Sequence, residues 1–449
     1  MILLHLKMLA MSFLILLSGI VLLIILTAWA KLNAFLSFLL VSMGIGLANG
    51  MTIDSVNHSV QKGMGDMLGS LVVILVVGAM IGKLIADYGA AQRIISAFMK
   101  WFGRKYLVWA LVVTAFIVGI PLFYGIGFVL LVPLIITLSY KYDIPAVYIG
   151  LPMLASLSVT FGFLPPHPSP VALIQQYHAD LGLTLLYGFI ISIPCIIIAG
   201  PLFATTLKKF TRKPLATFAG KSVPDEELPG ITDSFVTALL PVFLIAVDTV
   251  LRMTMPVNSF PVKLFKVLGD PSIALLLTLA YAVWSLVLKR GKKLETCMIS
   301  MTEAVKDISL ILLIIGGAGA LKQVLTDSGT ADQLTILMRG MHLHPILAAW
   351  LIAAFIRVCL GSATVAGLTA AGMIAPMIVG TTINPSLIVL ATGAGSLLFS
   401  HVNDSGFWLF KEYFNLSIKE TLKTWSVMES IISVVGLFMV GVIYFFTHH

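Results

Sequence analysis

Ser400-His401-Val402-Asn403-Asp404-Ser405 interrupts apolar sequence with an imidazole, an amide, a carboxylate and hydroxyls. Such groups suit an oxygen-rich ligand that both donates and accepts hydrogen bonds. An imidazole titrates near neutrality, and a partly desolvated carboxylate is shifted toward that range. His401 and Asp404 are therefore candidate proton carriers, set on one face if the stretch is helical. The alternative is a capped turn outside any membrane. A second interruption, Leu164-Pro165-Pro166-His167-Pro168-Ser169-Pro170, is too rich in proline for a continuous helix. It adds His167 as a third proton candidate and Ser169 as a polar one.

Arg357 is the lone charged side chain of the run 345–377. A charge in hydrocarbon needs water, a partner or a ligand. Two readings stay open: a cation that snorkels at a helix end, and one that handles an anion. Just beyond it, Gly361-Ser362-Ala363-Thr364-Val365-Ala366-Gly367 supplies close backbone approach and two hydroxyls, Ser362 and Thr364. A helix broken there would present free N–H groups and a dipole end to a carboxylate. Gly119 to Gly127 is its counterpart earlier in the chain, and ordinary helix packing is the plainer account of both. Lys83 and Lys322 stand in glycine-containing segments, placed either to neutralise a substrate carboxylate or to pair with Asp87 and Asp327.

The elements that must carry these residues are membrane segments. The chain is 59% hydrophobic and only 11% charged, against roughly 25% charged for a soluble domain, so too little charge exists to cover a water-facing surface. Apolar runs occur near 8–28, 31–49, 68–86, 106–122, 125–140, 146–163 and 183–203. After a polar stretch they resume near 232–251, 271–288, 306–325, 345–360, 363–379, 386–400 and 426–446. Many fall short of the about 20 residues that span a bilayer as helix, so some are tilted, broken or re-entrant. Irregular backbone at membrane depth must line protein or a cavity.

The net charge of +8 does not indicate a nucleic-acid binder. Arg93, Lys100, Arg104 and Lys105, then Lys208, Lys209, Arg212 and Lys213, then Lys289, Arg290, Lys292 and Lys293 sit in gaps between spans. That is the pattern of cytoplasmic loops. Cys195, Cys297 and Cys359 are scattered, without metal or disulfide spacing. No nucleotide loop, metal-ligand run or hydrolase elbow appears, which disfavours an enzyme; a channel is the other alternative.

Asp87-Tyr88-Gly89-Ala90-Ala91 and Asp327-Ser328-Gly329-Thr330-Ala331 follow matching glycine-containing segments, Gly78 to Lys83 and Gly317 to Lys322. The breaks at His167 and His401 occupy similar places in their halves. An odd number of segments per half would invert the second. The reading is an all-α polytopic protein of about 12–14 segments with interrupted or re-entrant helices. It has a first repeat at 1–207, a cytoplasmic linker at 208–230 and a second repeat at 231–449.

The same segments carry a family resemblance. Lys62 to Gly65, Gly82-Lys83-Leu84, Leu164 to Pro168, Ile315 to Gln323, Ser400 to Trp408 and Thr421 to Trp425 resemble bacterial gluconate permeases of the gluconate:proton symporter family. Ser169 stands where members often have glycine. The resemblance covers essentially the whole chain and implies an inner-membrane carrier importing gluconate or a related sugar acid with a proton. Members also carry idonate, and one branch carries D-serine. The expected partners are a small carboxylate, a proton, membrane lipid and a second copy in a homodimer, with no cofactor, metal or nucleic acid. Arg357, Lys83 or Lys322 would meet the carboxylate, and Ser362, Thr364, His401, Asn403 and Asp404 the hydroxyls.

Overall fold

Every apolar run is helical in the computed structural model, which describes residues 2–122, 124–214, 225–256, 258–330, 344–402 and 404–447. The helices before the linker are α1 (Ile2–Ile24), α2 (Ala34–Ala48), α3 (Ile53–Asp87), α4 (Ala90–Phe102), α5 (Leu107–Gly119), α6 (Tyr124–Tyr142), α7 (Ala146–Phe163), α8 (Pro168–Tyr177) and α9 (Leu181–Ile197). After it come α10 (Ile231–Thr254), α11 (Phe260–Leu268), α12 (Pro271–Ala282), α13 (Leu294–Asp327), α14 (Pro345–Leu360), α15 (Ala363–Ile378), α16 (Pro385–Ser396), α17 (Ser405–Tyr413), α18 (Ile418–Thr421) and α19 (Val427–Thr447). No strand occurs among the described residues. Among the described residues, seven helical stretches are long and apolar enough to cross a membrane, and other apolar helices are shorter.

Helix α3 has 35 residues and α13 has 34. At 1.5 Å per residue each is about 50 Å long, well beyond the roughly 30 Å hydrocarbon core. The surplus is the polar first part of each, around Asp54, Lys62 and Asp66 in α3 and Glu295, Glu303 and Lys306 in α13. These polar turns hid the true helix starts from a reading based on apolar runs at 68–86 and 306–325.

The two long helices run antiparallel against each other. Ser59 Oγ donates to Asp327 Oδ2 at 2.6 Å near one end, and Lys83 Nζ lies 3.4 Å from Glu303 near the other. They cross closely at two glycines. A Cβ on Gly63 would lie 2.3 Å from the Gly319 carbonyl oxygen, and one on Gly319 would lie 2.4 Å from that of Gly63. Only glycine permits such an approach, the small-residue packing expected between helices in lipid.

The order of elements recurs around this pair. A long helix, two helices joined at a short break, and a helix interrupted by extended backbone appear as α3, α5–α6 and α7–α8, then as α13, α14–α15 and α16–α17. An antiparallel relation between α3 and α13 is what inverted halves require.

One expectation needs correction. The basic gap around Arg93 and Lys100 contains α4, an amphipathic helix that buries Ala90, Ala91, Ile94, Ile95, Ala97 and Phe98. Apolar positions three and four apart make a stripe that the intervening charges conceal. Arg93 Nε donates to the Pro229 carbonyl at 2.6 Å, and Arg290 donates to the carbonyls of Tyr88 and Glu227. Two of the basic clusters thus meet on the end of the linker. Near the other end of α10, Asp248 pairs with Arg252, which also reaches Asp180.

Candidate functional site

Four interruptions, two in each half, lie at or beside one polar site. Helix α14 begins at Pro345, which fits the first turn where no N–H is needed. It stops at Gly361, whose φ of +78° places it in the left-handed region that glycine tolerates. Ser362 then caps α15 by accepting from the Val365 N–H at 3.3 Å. In the first half α5 ends at Gly119 and α6 starts at Tyr124. Helix α7 gives way to extended backbone at Leu164, the Pro165–Pro166 bond is cis, and α8 starts at Pro168. Helix α16 ends at Ser396, and Asp404 caps α17 by accepting from the Gly406 N–H at 2.9 Å.

Arg357 joins two of these breaks. It is 4% exposed, so its guanidinium is held inside the protein rather than extended to the surface. Nη1 donates to the Gly361 carbonyl and Nη2 to Asp404 Oδ2, so one side chain ties the α14–α15 turn to the α16–α17 crossing. Nε is buried and has no hydrogen-bond partner among the described residues. Asp404 also accepts from Ser400 Oγ. Ser400 in turn accepts from Trp425 Nε1 at 2.8 Å, while its carbonyl accepts from Ser426 Oγ. Trp425 and Ser426 lie on a π-turn, Leu422–Ser426, that leads into α19. Such wide turns often mark functional positions because they re-aim side chains.

These groups surround a cavity of about 180 Å³. That is below the roughly 300 Å³ of pockets for drug-sized ligands, so its occupant is small. Tyr124, Ser158 and Phe161 line it from α6 and α7. Arg357, Gly361, Ser362 and Thr364 line it from the α14–α15 turn, and Asp404, Trp425 and Glu429 from the last quarter of the chain. Among the sequence candidates, Arg357, Ser362, Thr364 and Asp404 are thus brought together.

The others are placed differently. His401, Val402 and Asp404 are not helical, so His401 and Asp404 do not share a helix face. The His401 ring lies 2.9 Å from the Val358 carbonyl, one residue past Arg357. His167 Nε2 lies 2.8 Å from the Gly119 carbonyl, and its ring meets Phe161 edge-on, next to the cavity rather than in its wall. Ser169 is buried on α8, near Gly367 of α15. Lys83 pairs with Asp87 and Glu303 on the α3–α13 scaffold. Lys322 Nζ donates to the Gln176 carbonyl at 3.0 Å, at the C-terminal end of α8 where a cation is favourable. Asn403 lies outside the described residues.

The sequence reading passed over Glu429, which is 3% exposed in α19. Its Oε1 accepts from Ser158 Oγ at 2.5 Å, and its Oε2 is buried without a partner among the described residues. It is a lone acid in an apolar segment, so the reasoning applied to Arg357 would have found it. Ser158 and Tyr124 gave no comparable signal, because a hydroxyl in an apolar helix is common.

Broken helices converging on a small, charged cavity within a polytopic helical bundle define a multi-pass membrane protein of the transporter class. The fold agrees: the crystal structure of the Alcanivorax borkumensis YdaH transporter matches with a TM-score of 0.66 at 13% identity, over 92% of this chain and 98% of that one. The GntP family permease pattern matches residues 11–446. The "High-affinity gluconate transporter" of Escherichia coli (strain K12) is 46% identical over 93% of this chain and 96% of its own. The "Gnt-II system L-idonate transporter" of the same organism is 46% identical over 95% and 98%, and the "Gluconate permease" of Bacillus subtilis (strain 168) is 44% identical over 95% and 98%. The chain belongs to the GntP permease family, and it is a multi-pass protein of the bacterial inner membrane.

Proposed function

We propose that this permease takes up gluconate, or a closely related sugar acid such as idonate, together with a proton and by alternating access. The observation that carries this reading is Arg357 beside the N-terminus of α15, with Ser362 and Thr364 facing the same cavity. A carboxylate there meets a guanidinium with a spare Nε–H and the free N–H groups of a helix start. The hydroxylated tail of a sugar acid meets Ser158, Tyr124 and Asp404, with the Trp425 ring alongside. His167 and His401 remain candidates next to this lining, Ser169 and Asn403 remain candidates by residue type, and Lys83 and Lys322 serve the scaffold. Relatives named for gluconate and for idonate support the sugar-acid class.

A monoanion entering a negative interior moves uphill by about 2.3 kcal/mol per 100 mV. One proton per anion makes the step electroneutral and leaves the pH gradient as its drive. The test is uptake of labelled gluconate into proteoliposomes with the pH gradient and voltage set independently. Accumulation under an inward proton gradient at zero voltage is expected. Gluconate entry that never exceeds equilibration under any proton gradient sinks the symport reading. Uptake of D-serine or a dicarboxylate with none of gluconate or idonate sinks the substrate class.

A further inference from the structure

The proton of this transport cycle needs a group that can carry it. Asp404 is poorly suited, because its oxygens accept from Arg357, Ser400 and the Gly406 N–H, a donor set that holds an anion. His167 and His401 each have a ring nitrogen at a backbone carbonyl, which ties them to the turns they brace. Glu429 is different. One oxygen has a single neutral donor, Ser158 Oγ, and the other lies buried with no partner among the described residues. The charged and titratable groups that face it across the cavity are Arg357 of α14, Asp404 ahead of α17 and Tyr124 of α6.

Charge bookkeeping gives this arrangement its meaning. Arg357 is already neutralised by Asp404, so Glu429 has no cation of its own. With Glu429 ionised the cavity wall carries a net charge of about −1; with Glu429 protonated it carries about 0. A substrate carboxylate entering the first state makes a second uncompensated anion in a space of about 180 Å³ beside the buried Glu429. Entering the second state, it adds the only uncompensated charge and finds Arg357 Nε–H, the α15 N-terminus and the Glu429 O–H as donors.

We infer that Glu429 is the proton-binding residue of the transport cycle, and that its protonation is what admits the substrate carboxylate to the Arg357 site. The proton adds to the unpartnered Oε2 when the cavity faces the acidic side, and the carboxylate binds next. Both leave on the other side, where loss of either ion disfavours retention of the other. Coupling needs no contact between Glu429 and Arg357, because linkage is reciprocal: whatever the proton does for anion affinity, the anion does for proton affinity. The inference rests on the sugar-acid reading for its ligand.

The test is gluconate binding to the purified, detergent-solubilised protein across pH, in wild type and in Glu429→Gln, whose amide mimics the neutral acid. Wild-type affinity is expected to fall about tenfold per pH unit on the alkaline limb, the slope for one linked proton. E429Q is expected to bind with a flat profile, to support gluconate counterflow, and to lose accumulation driven by a pH gradient. An E429Q protein that is monodisperse yet keeps the wild-type slope, or binds no gluconate, overturns the assignment. A measurement on wild type stands apart from whether the variant folds. Infrared difference spectra on adding gluconate at alkaline-limb pH should show a new carboxylic-acid C=O band, and its absence also overturns the assignment. Wild-type protein that binds idonate with this slope but not gluconate refutes only the choice of cargo.

Discussion

Removing the charge of Arg357 separates the two duties proposed for it, holding the site together and meeting the substrate. The Arg357–Asp404 pair is buried, with side-chain exposures of 4% and 16%, so solvent screens it little. Taking away one member of such a pair costs about 3–5 kcal/mol, because the other is left as an uncompensated buried charge. R357Q is therefore expected to lower the unfolding midpoint sharply. D404N alone should be nearly as harmful. The double variant R357Q/D404N removes both charges and keeps two amide side chains of similar shape, so much of the stability should return.

Affinity should behave otherwise. Charge-assisted hydrogen bonds contribute about 1.5–3 kcal/mol, which at about 1.4 kcal/mol per decade is a roughly 10- to 150-fold loss in gluconate affinity. That loss should persist in the double variant, since the cation for the substrate is still missing. Thermal unfolding in detergent and the concentration dependence of counterflow measure the two quantities on the same preparations. A double variant that regains wild-type affinity would show that Arg357 only braces the turn. A stable R357Q single variant would show that the pair with Asp404 does not form.

Other substitutions probe the supports of the site. Gly361→Ala places a Cβ at φ +78°, costing about 1–2 kcal/mol and loosening the carbonyl that Arg357 holds; an unchanged unfolding midpoint and an unchanged KM would contradict this role. Ser400→Ala strips a donor from Asp404 and the acceptor from the buried Trp425 N–H. A loss of about 1–3 kcal/mol is expected together with a raised KM, and wild-type values for both would count against the network. Gly319→Ala sets a methyl 2.4 Å from the Gly63 carbonyl oxygen, so α3 and α13 must separate, at about 1–3 kcal/mol as in an overpacked core. If G319A melts with the wild type, the close crossing is wrong.

Much of the scaffold was legible in the residues alone because lipid imposes a local rule. A segment that cannot pair its backbone with water must be helical, and its side chains must be apolar. The runs read at 345–360 and 363–379 became Pro345–Leu360 and Ala363–Ile378, with Pro345 and Gly361 marking ends that proline and left-handed glycine dictate locally. The rule gives no signal where a helix leaves the apolar layer. The first turns of α3 and α13, the amphipathic α4 and the short α17 were accordingly missed.

The site divides along the same line. Arg357 and Asp404 stood out by sequence, as a lone charge and as an acid in a polar break. Their pairing across 47 positions joins two breaks of the second half, and that of Ser158 with Glu429 across 271 joins the two halves; both exist only because distant segments meet around one cavity. Residue type and local spacing determine which segments enter the membrane and where they break. Which buried group has a partner, and which is left with an open oxygen, is a property of contacts between distant segments. Only the tertiary structure could decide that Asp404 accepts from Arg357, Ser400 and the Gly406 N–H, while Glu429 accepts from Ser158.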